Sequence, residues 1–107
     1  MAGEAVTAKN AIARRGLTPL ADVRESHRAT DLAFQARNTE LYVVRCVEEI
    51  SPSDYRALAA MLTEGDFTRA FIVYTAEDQP HLSGEIESYP LSRIDELAAL
   101  LAKESAP

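Results

Sequence analysis

Residues 31–47 read DLAFQARNTELYVVRCV, and the arrangement of most of the chain can be worked out from them. The first half alternates, which indicates a strand with Leu32, Phe34 and Ala36 on one face. The second half is almost continuously apolar and rich in β-branched residues, as is typical of a central strand buried on both faces. A tight turn at Arg37–Asn38 joins the two halves. The stretch therefore predicts an antiparallel β-hairpin.

Helices are predicted on both sides of this hairpin. The first covers residues 5–15 and stops at Gly16. The second begins at Ser51, with Pro52 in its first turn. The third is capped by Ser92 and shows apolar residues at helical spacing. Its core stripe consists of Ile94, Leu97, Ala98 and Leu101.

The remaining apolar runs predict further strands. An edge strand is expected near residues 20–26, a buried strand at 69–75 and a short strand at 85–89. Residues 40–47 should pair with both 31–36 and 69–75. The second of these pairings follows a helical crossover and should therefore be parallel and right-handed, while the other pairings should be antiparallel.

These elements predict one α/β domain spanning residues 1–107, with a central mixed sheet in αβββαβ(β)α order. The folded core is expected over about residues 5–101, and residues 104–107 are expected to fray. The hydrophobic fraction of 47% fits a folded globular domain rather than a disordered chain. Because Leu97, Leu100 and Leu101 cover more than one face of the last helix, a homodimer or another protein partner is expected.

Charge limits the classes of partner. The net charge of −6 disfavours binding to nucleic-acid phosphates. Basic residues are nevertheless concentrated in the first half of the chain. They make a local binding patch conceivable, with the candidates Arg14, Arg15, Arg28 and Arg37.

Cysteine usage and hydropathy limit the compartment. Cys46 is the only cysteine, so the chain can form neither an intramolecular disulfide nor a cysteine-based zinc site. No apolar run approaches the roughly 20 residues of a membrane span. The N-terminus lacks the pattern of a secretory signal. A cytoplasmic protein that does not enter membranes is therefore expected.

The order of elements, with Asp31 opening a strand of the hairpin, resembles the restriction-endonuclease-like (PD-(D/E)XK) superfamily. In that family an Asp and a Glu or Gln hold a divalent metal ion, and a nearby Lys helps to activate water. A turn near Asn38 places Asp31 opposite residue 44 or 45. Arg45 then stands at the Glu/Gln position and Val47 at the Lys position.

This departure from the family pattern implies that the catalytic centre is lost. Arg45 is a cation where an anion is required, and Val47 can neither carry a proton nor orient water. Asp31, Arg45 and Val47 are then remnants of a catalytic site, with no metal and no cofactor. The leading interpretation is a non-catalytic domain of restriction-endonuclease-like fold, acting as a binding or assembly module in a bacterial DNA-handling system.

Two other interpretations stay open. A divergent metal-dependent nuclease would keep Asp31 as a Mg²⁺ ligand and recruit the missing groups from elsewhere. The side chains weighed for that role are Lys9, Arg56, Glu40, Glu48 and Glu49. The third interpretation is an unrelated small α/β protein-interaction domain. Cys46 as a nucleophile and His27 with Asp31 as a metal pair are weaker signals, because buried cysteine usually packs as a small apolar residue and two ligands alone do not define a site.

Overall fold

Three α-helices and six short strands make up the part of the chain that the structure, a computed structural model, describes: residues 3–20, 24–25, 29–65, 67–76 and 86–105. The helices are α1 (Gly3–Ala13), α2 (Pro52–Thr63) and α3 (Ile94–Glu104), and a 3₁₀ turn at Leu91–Arg93 leads into α3. The strands are β1 (Thr18–Pro19), β2 (Arg24–Glu25), β3 (Ala29–Gln35), β4 (Leu41–Val47), β5 (Arg69–Tyr74) and β6 (Glu87–Pro90).

The described strands form one mixed sheet in the spatial order β1-β3-β4-β5-β6, and β2 also pairs with β3. Strands β3 and β4 are antiparallel, with Asp31 directly opposite Arg45. Strands β4 and β5 are parallel and are joined by α2. The prediction that residues 40–47 form a central strand between 31–36 and 69–75 is thus confirmed, as is a single domain of mixed α/β class.

The hairpin turn explains the register of β3 against β4. The N–H of Ala36 donates to the carbonyl of Glu40 at 2.8 Å, which leaves residues 37–39 as a three-residue loop. Thr39 has a φ of 74°, the left-handed conformation that ends such loops. The side-chain oxygen of Asn38 accepts a hydrogen bond from the N–H of Glu40 at 3.1 Å. These bonds fix the register of β3 against β4. A slip of that register by one residue would move every side chain of the strand to the opposite face of the sheet.

One prediction about the sheet, the antiparallel pairing of the last strand, is wrong. Strands β5 and β6 are parallel, with Phe71 opposite Glu87; residues 75–86 between them are long enough to return the chain to the same end of the sheet, as a parallel pairing requires. Of the edge strand predicted for residues 20–26, Arg24–Glu25 form β2, which pairs with β3, and β1 lies just before that range. Residues 21–23, 26 and 85 lie outside the described part of the chain.

The two faces of the sheet are covered unequally. Helices α1 and α3 pack on one face, and all four residues of the predicted α3 stripe are buried there. Helix α2 covers the other face through Leu58, which is fully buried. Ala59, the next residue along α2, is exposed. The α2 face also holds large apolar side chains that are only partly buried: Ile50, Tyr55, Met61, Leu62, Phe67 and Tyr74.

The C-terminal helix differs from the expectation in two ways. It continues through Glu104, and Ser105 is fully buried, so the predicted fraying does not begin at residue 104. Leu97 and Leu101 are fully buried in the chain's own core, and Leu100 packs against the same core. Helix α3 therefore does not supply the apolar surplus on which the expected homodimer was argued. Within the described ranges, no helix combines the length and the apolar character that crossing a bilayer requires.

Candidate functional site

A partly buried ion pair joins the two strands of the hairpin on the face covered by α2. The guanidinium of Arg45 donates from Nε to Oδ1 of Asp31 at 2.7 Å and from its second terminal nitrogen to Oδ2 at 2.9 Å. Both carboxylate oxygens of Asp31 are therefore engaged by one planar group, the geometry that arginine and carboxylate favour. Of the two positions predicted to lie opposite Asp31, 44 and 45, it is Arg45 that does so.

A second carboxylate reaches the same guanidinium from α2. Oδ1 of Asp54 accepts a hydrogen bond from the other terminal nitrogen of Arg45 at 3.2 Å. Its Oδ2 accepts two hydrogen bonds from Ser51, one from the backbone N–H at 2.8 Å and one from the hydroxyl at 3.2 Å. Asp54 thus closes the first turn of α2 and ties that turn to the sheet. We call Asp31, Arg45 and Asp54 the ion-pair triad.

The triad lies largely out of water. The exposed fractions of the side chains are 14% for Arg45, 10% for Asp31 and 3% for Asp54. The hydrogen bonds to Asp31 raise the pKa of Arg45 above its ordinary value, and burial opposes this rise. Because arginine keeps its charge in proteins, the centre of the triad holds a permanent cation.

This arrangement neutralises carboxylates rather than activating a nucleophile. Arg45 donates hydrogen bonds to both Asp31 and Asp54, and an arginine neither donates its proton in catalysis nor ligates a metal. Val47, at the predicted Lys position, is 2% exposed and belongs to the apolar cluster under α2. Among the described residues, no group of three or more His, Cys, Asp or Glu side chains is placed to hold a metal ion.

Asp54 is the member of the triad that the sequence analysis did not identify. The local signal was present, since Ser51-Pro52-Ser53-Asp54 is a Ser-x-x-Asp pattern, which places an acidic side chain in the first turn of a helix. Helix α2 follows β4 directly. Its first turn therefore lies beside the carboxyl end of β4, where Arg45 projects.

Two of the four arginines predicted to form a binding patch donate hydrogen bonds to backbone carbonyls of the chain. Arg37 donates to the carbonyl of Ala102 at 2.9 Å and so stabilises the end of α3. Its side chain also lies close to Gly16, where an added Cβ would be 3.7 Å from the Arg37 Cδ. Arg14 donates to the carbonyl of Asn10 in its own helix, and Arg15 is exposed. The fourth candidate, Arg28, lies outside the described residues.

The substitutes weighed for a relocated catalytic group lie outside the triad. Lys9 is partly buried on α1, and Arg56 is exposed on α2. Glu48 and Glu49 are exposed just after β4, as is usual for charged residues in a turn that faces solvent. Cys46 is buried, and as the neighbour of Arg45 in β4 it faces α1 and α3. His27 and His81 lie outside the described residues.

A second charged cluster lies at the opposite end of β4 and β5. Arg69 forms an ion pair with Glu104, lies 3.9 Å from Glu87 and stacks on Phe71, with 5.0 Å from its guanidinium carbon to the ring centroid. Glu40 accepts a hydrogen bond from Tyr42 at 3.5 Å. Glu87 accepts a hydrogen bond from the hydroxyl of Tyr89 at 3.3 Å. The cluster fastens α3 and β6 to the start of β5.

This cluster has a measurable consequence for two tyrosines. Burial, followed by Glu40, raises the pKa of Tyr42 above 10.0, and burial, followed by Glu87, raises that of Tyr89. The neutral phenols are thus favoured in the folded state. Their contribution to stability should be complete below the unfolded pKa, about 10, and should be lost as pH rises through the raised values. Ultraviolet titration of tyrosinate should show a late component that shrinks in Tyr42→Phe and in Tyr89→Phe. If either variant instead loses titration amplitude near the ordinary tyrosine pKa, this assignment is wrong.

Comparison of the chain with known protein families, with curated protein sequences and with solved structures gives no match. The function therefore has to be argued from the triad and the fold alone.

Proposed function

We propose that this chain is a cytoplasmic domain of restriction-endonuclease-like fold that has lost its catalytic centre and serves as a binding or assembly module in a bacterial DNA-handling system. The observation that carries the proposal is the two-pronged bond of Arg45 to Asp31. In the resembled family, the corresponding Asp holds the metal ion. Here both of its oxygens accept hydrogen bonds from a side chain that keeps its charge at any ordinary pH.

The topology supports this proposal. An antiparallel hairpin followed by a helical crossover to a parallel strand is the core layout that the resemblance implies. Asp31, Arg45 and Val47 lie on the same face of that hairpin, at the positions where the resemblance expects the metal ligands and the lysine. The net charge of −6 favours a protein partner over a polyanion as the molecule that is bound.

The purified chain is therefore expected to show no cleavage of supercoiled plasmid or single-stranded DNA in the presence of Mg²⁺ or Mn²⁺. The physical reason is that Arg45 binds the carboxylates of both Asp31 and Asp54, so that these two groups are not available to a dication. The measurement is a gel assay over a range of metal concentrations. Asp31→Ala and Glu49→Ala serve as matched variants, one inside the triad and one on the exposed turn.

The cleavage assay also tests a second candidate function. Asp54 brings an additional carboxylate to the triad from α2, which is the relocation that a divergent metal-dependent nuclease would need. Such an enzyme would bind Mg²⁺ after Arg45 moves aside. Metal-dependent nicking that is lost in Asp31→Ala and kept in Glu49→Ala would favour this candidate and reject the non-catalytic module.

A further inference from the structure

We propose that the ion-pair triad is a conformational lock for α2: its hydrogen bonds set the rotation and position of this helix on the sheet, whereas apolar burial determines only that the helix packs there. The inference goes beyond the proposed function, because it gives the triad a task in the present fold whether or not its members descend from a catalytic site. The side of the molecule that α2 forms keeps one shape only while the helix keeps one orientation.

Helix α2 is held to the sheet by fewer buried apolar residues than the other two helices. Of its twelve residues only Asp54 and Leu58 are buried, and only Leu58 is apolar. By contrast, four apolar residues are buried in α1 and four in α3. Because the hydrophobic effect has no direction, a single buried apolar side chain leaves the helix able to roll about its own axis.

The apolar side chains beside Leu58 do not remove this freedom. With about 3.6 residues per turn, Tyr55 and Leu62 lie on one flank of Leu58 and Met61 lies on the other. All three flanking side chains are partly buried against the same cluster. A small roll of α2 in either direction therefore buries one flank while it exposes the other, and the total apolar burial changes little. Burial alone is compatible with more than one orientation of the helix.

The triad supplies the missing direction. Asp54 lies one turn before Leu58 on the same face of α2, and its Oδ1 accepts a hydrogen bond from Arg45 of β4 at 3.2 Å. Arg45 is itself held by two hydrogen bonds to Asp31 on the neighbouring strand. Hydrogen bonds weaken steeply when their distance or angle changes. The bond to Asp54 is therefore made in one orientation of α2 and is lost when the helix rolls or slides.

Orientation can be separated from stability by the way in which the triad is removed. Replacing a whole buried ion-pair group by apolar side chains of similar volume is often neutral or stabilising, whereas removing one partner is costly. Loss of the triad as a unit should therefore keep the stability of the fold and loosen α2. This outcome differs from that of Arg45→Ala, which leaves the carboxylates of Asp31 and Asp54 without their cation.

The triple variant D31V/R45M/D54N tests the lock. It removes every charge of the triad, and the amide introduced at position 54 keeps an oxygen that can accept the N–H of Ser51. In chemical denaturation, its midpoint should lie above that of Arg45→Ala. In amide hydrogen exchange followed by NMR, residues 55–63 of α2 should lose protection by about tenfold or more, while the amides of β4 change by less than about threefold.

Two controls and the contrary outcomes make the test decisive. The variant R69M/E104Q removes the ion pair that joins β5 to α3 and should leave the protection of α2 unchanged. Asp54→Asn alone keeps an acceptor for Arg45 and should change that protection by less than about threefold. The proposal is overturned if the triple variant keeps wild-type protection in α2, if α2 and β4 lose protection together, or if this variant does not fold. It is also overturned if Asp54→Asn loosens α2 as much as the triple variant does, because loss of the helix cap would then explain the result.

Discussion

Arg45→Ala is expected to lower the free energy of unfolding by about 3 kcal/mol, the lower end of the range for breaking a buried ion pair by removal of one partner. For a domain of this size, the melting temperature should fall by roughly 12 °C. The lower end applies because the Arg45 side chain keeps an exposed fraction of 14%. Chemical denaturation followed by circular dichroism measures the change.

The size of this effect comes from what the substitution leaves behind. Without the guanidinium, Asp31 and Asp54 face each other across a site in which their side chains are only 10% and 3% exposed. Asp31 then loses both hydrogen bonds from Arg45, Asp54 loses one, and the two negative charges repel. The hydrogen bonds from Ser51 remain on Asp54. Asp31 has no comparable donor among the bonds resolved for it and should carry most of the cost.

Two variants show whether the triad is responsible. Arg56→Ala removes an exposed arginine from α2 and should change stability by no more than about 0.5 kcal/mol. The double variant D31A/R45A should be less destabilised than the sum of its single variants, because the second substitution removes a carboxylate that the first has stranded. If Arg45→Ala costs less than about 1 kcal/mol, the triad behaves as an exposed surface pair and this account of it is wrong.

The hairpin and the position of Arg45 across from Asp31 could be predicted from the sequence because local rules determine both. Alternation placed Leu32 and Phe34 on one face of β3, and the turn at residues 37–39 set the register that brings Arg45 opposite Asp31. A strand has only two faces, so a correct turn leaves few arrangements to consider. The core stripe of α3 was predictable for a similar reason, since helical spacing marks a buried face directly.

The remaining features depend on contacts between distant segments. Asp54 joins the triad only because α2 packs across β4, and the spacing of residues along the sequence does not give that distance. Arg37 was interpreted as a binding residue, whereas its guanidinium caps α3, which lies 65 positions further along the chain. The direction of β6 depends on the path of residues 75–86, where the sequence offers turn residues but no helical crossover to signal a parallel return.

The triad also makes a prediction about metal ions. Arg45→Glu replaces its cation by a third carboxylate, beside those of Asp31 and Asp54. The variant should be less stable than Arg45→Ala in metal-free buffer, since three like charges then share a partly buried site. Mg²⁺, Ca²⁺ and Mn²⁺ prefer such oxygen ligands. A divalent ion at 100 times its dissociation constant should restore about 2.7 kcal/mol of stability.

Thermal melting with and without millimolar Mn²⁺ or Ca²⁺ measures this restoration, and two proteins serve as references. The wild type should show no metal-dependent rise in melting temperature, because its own guanidinium occupies the centre of the triad. Arg45→Gln keeps a side chain of similar length to the glutamate variant without the third carboxylate, and it should respond weakly. If the ion stabilises Arg45→Glu no more than the wild type, the carboxylates of Asp31 and Asp54 do not converge closely enough to share a cation. Arg45 would then be a partner of two separate carboxylates, and the claim that it stands in the place of a metal ion would be withdrawn.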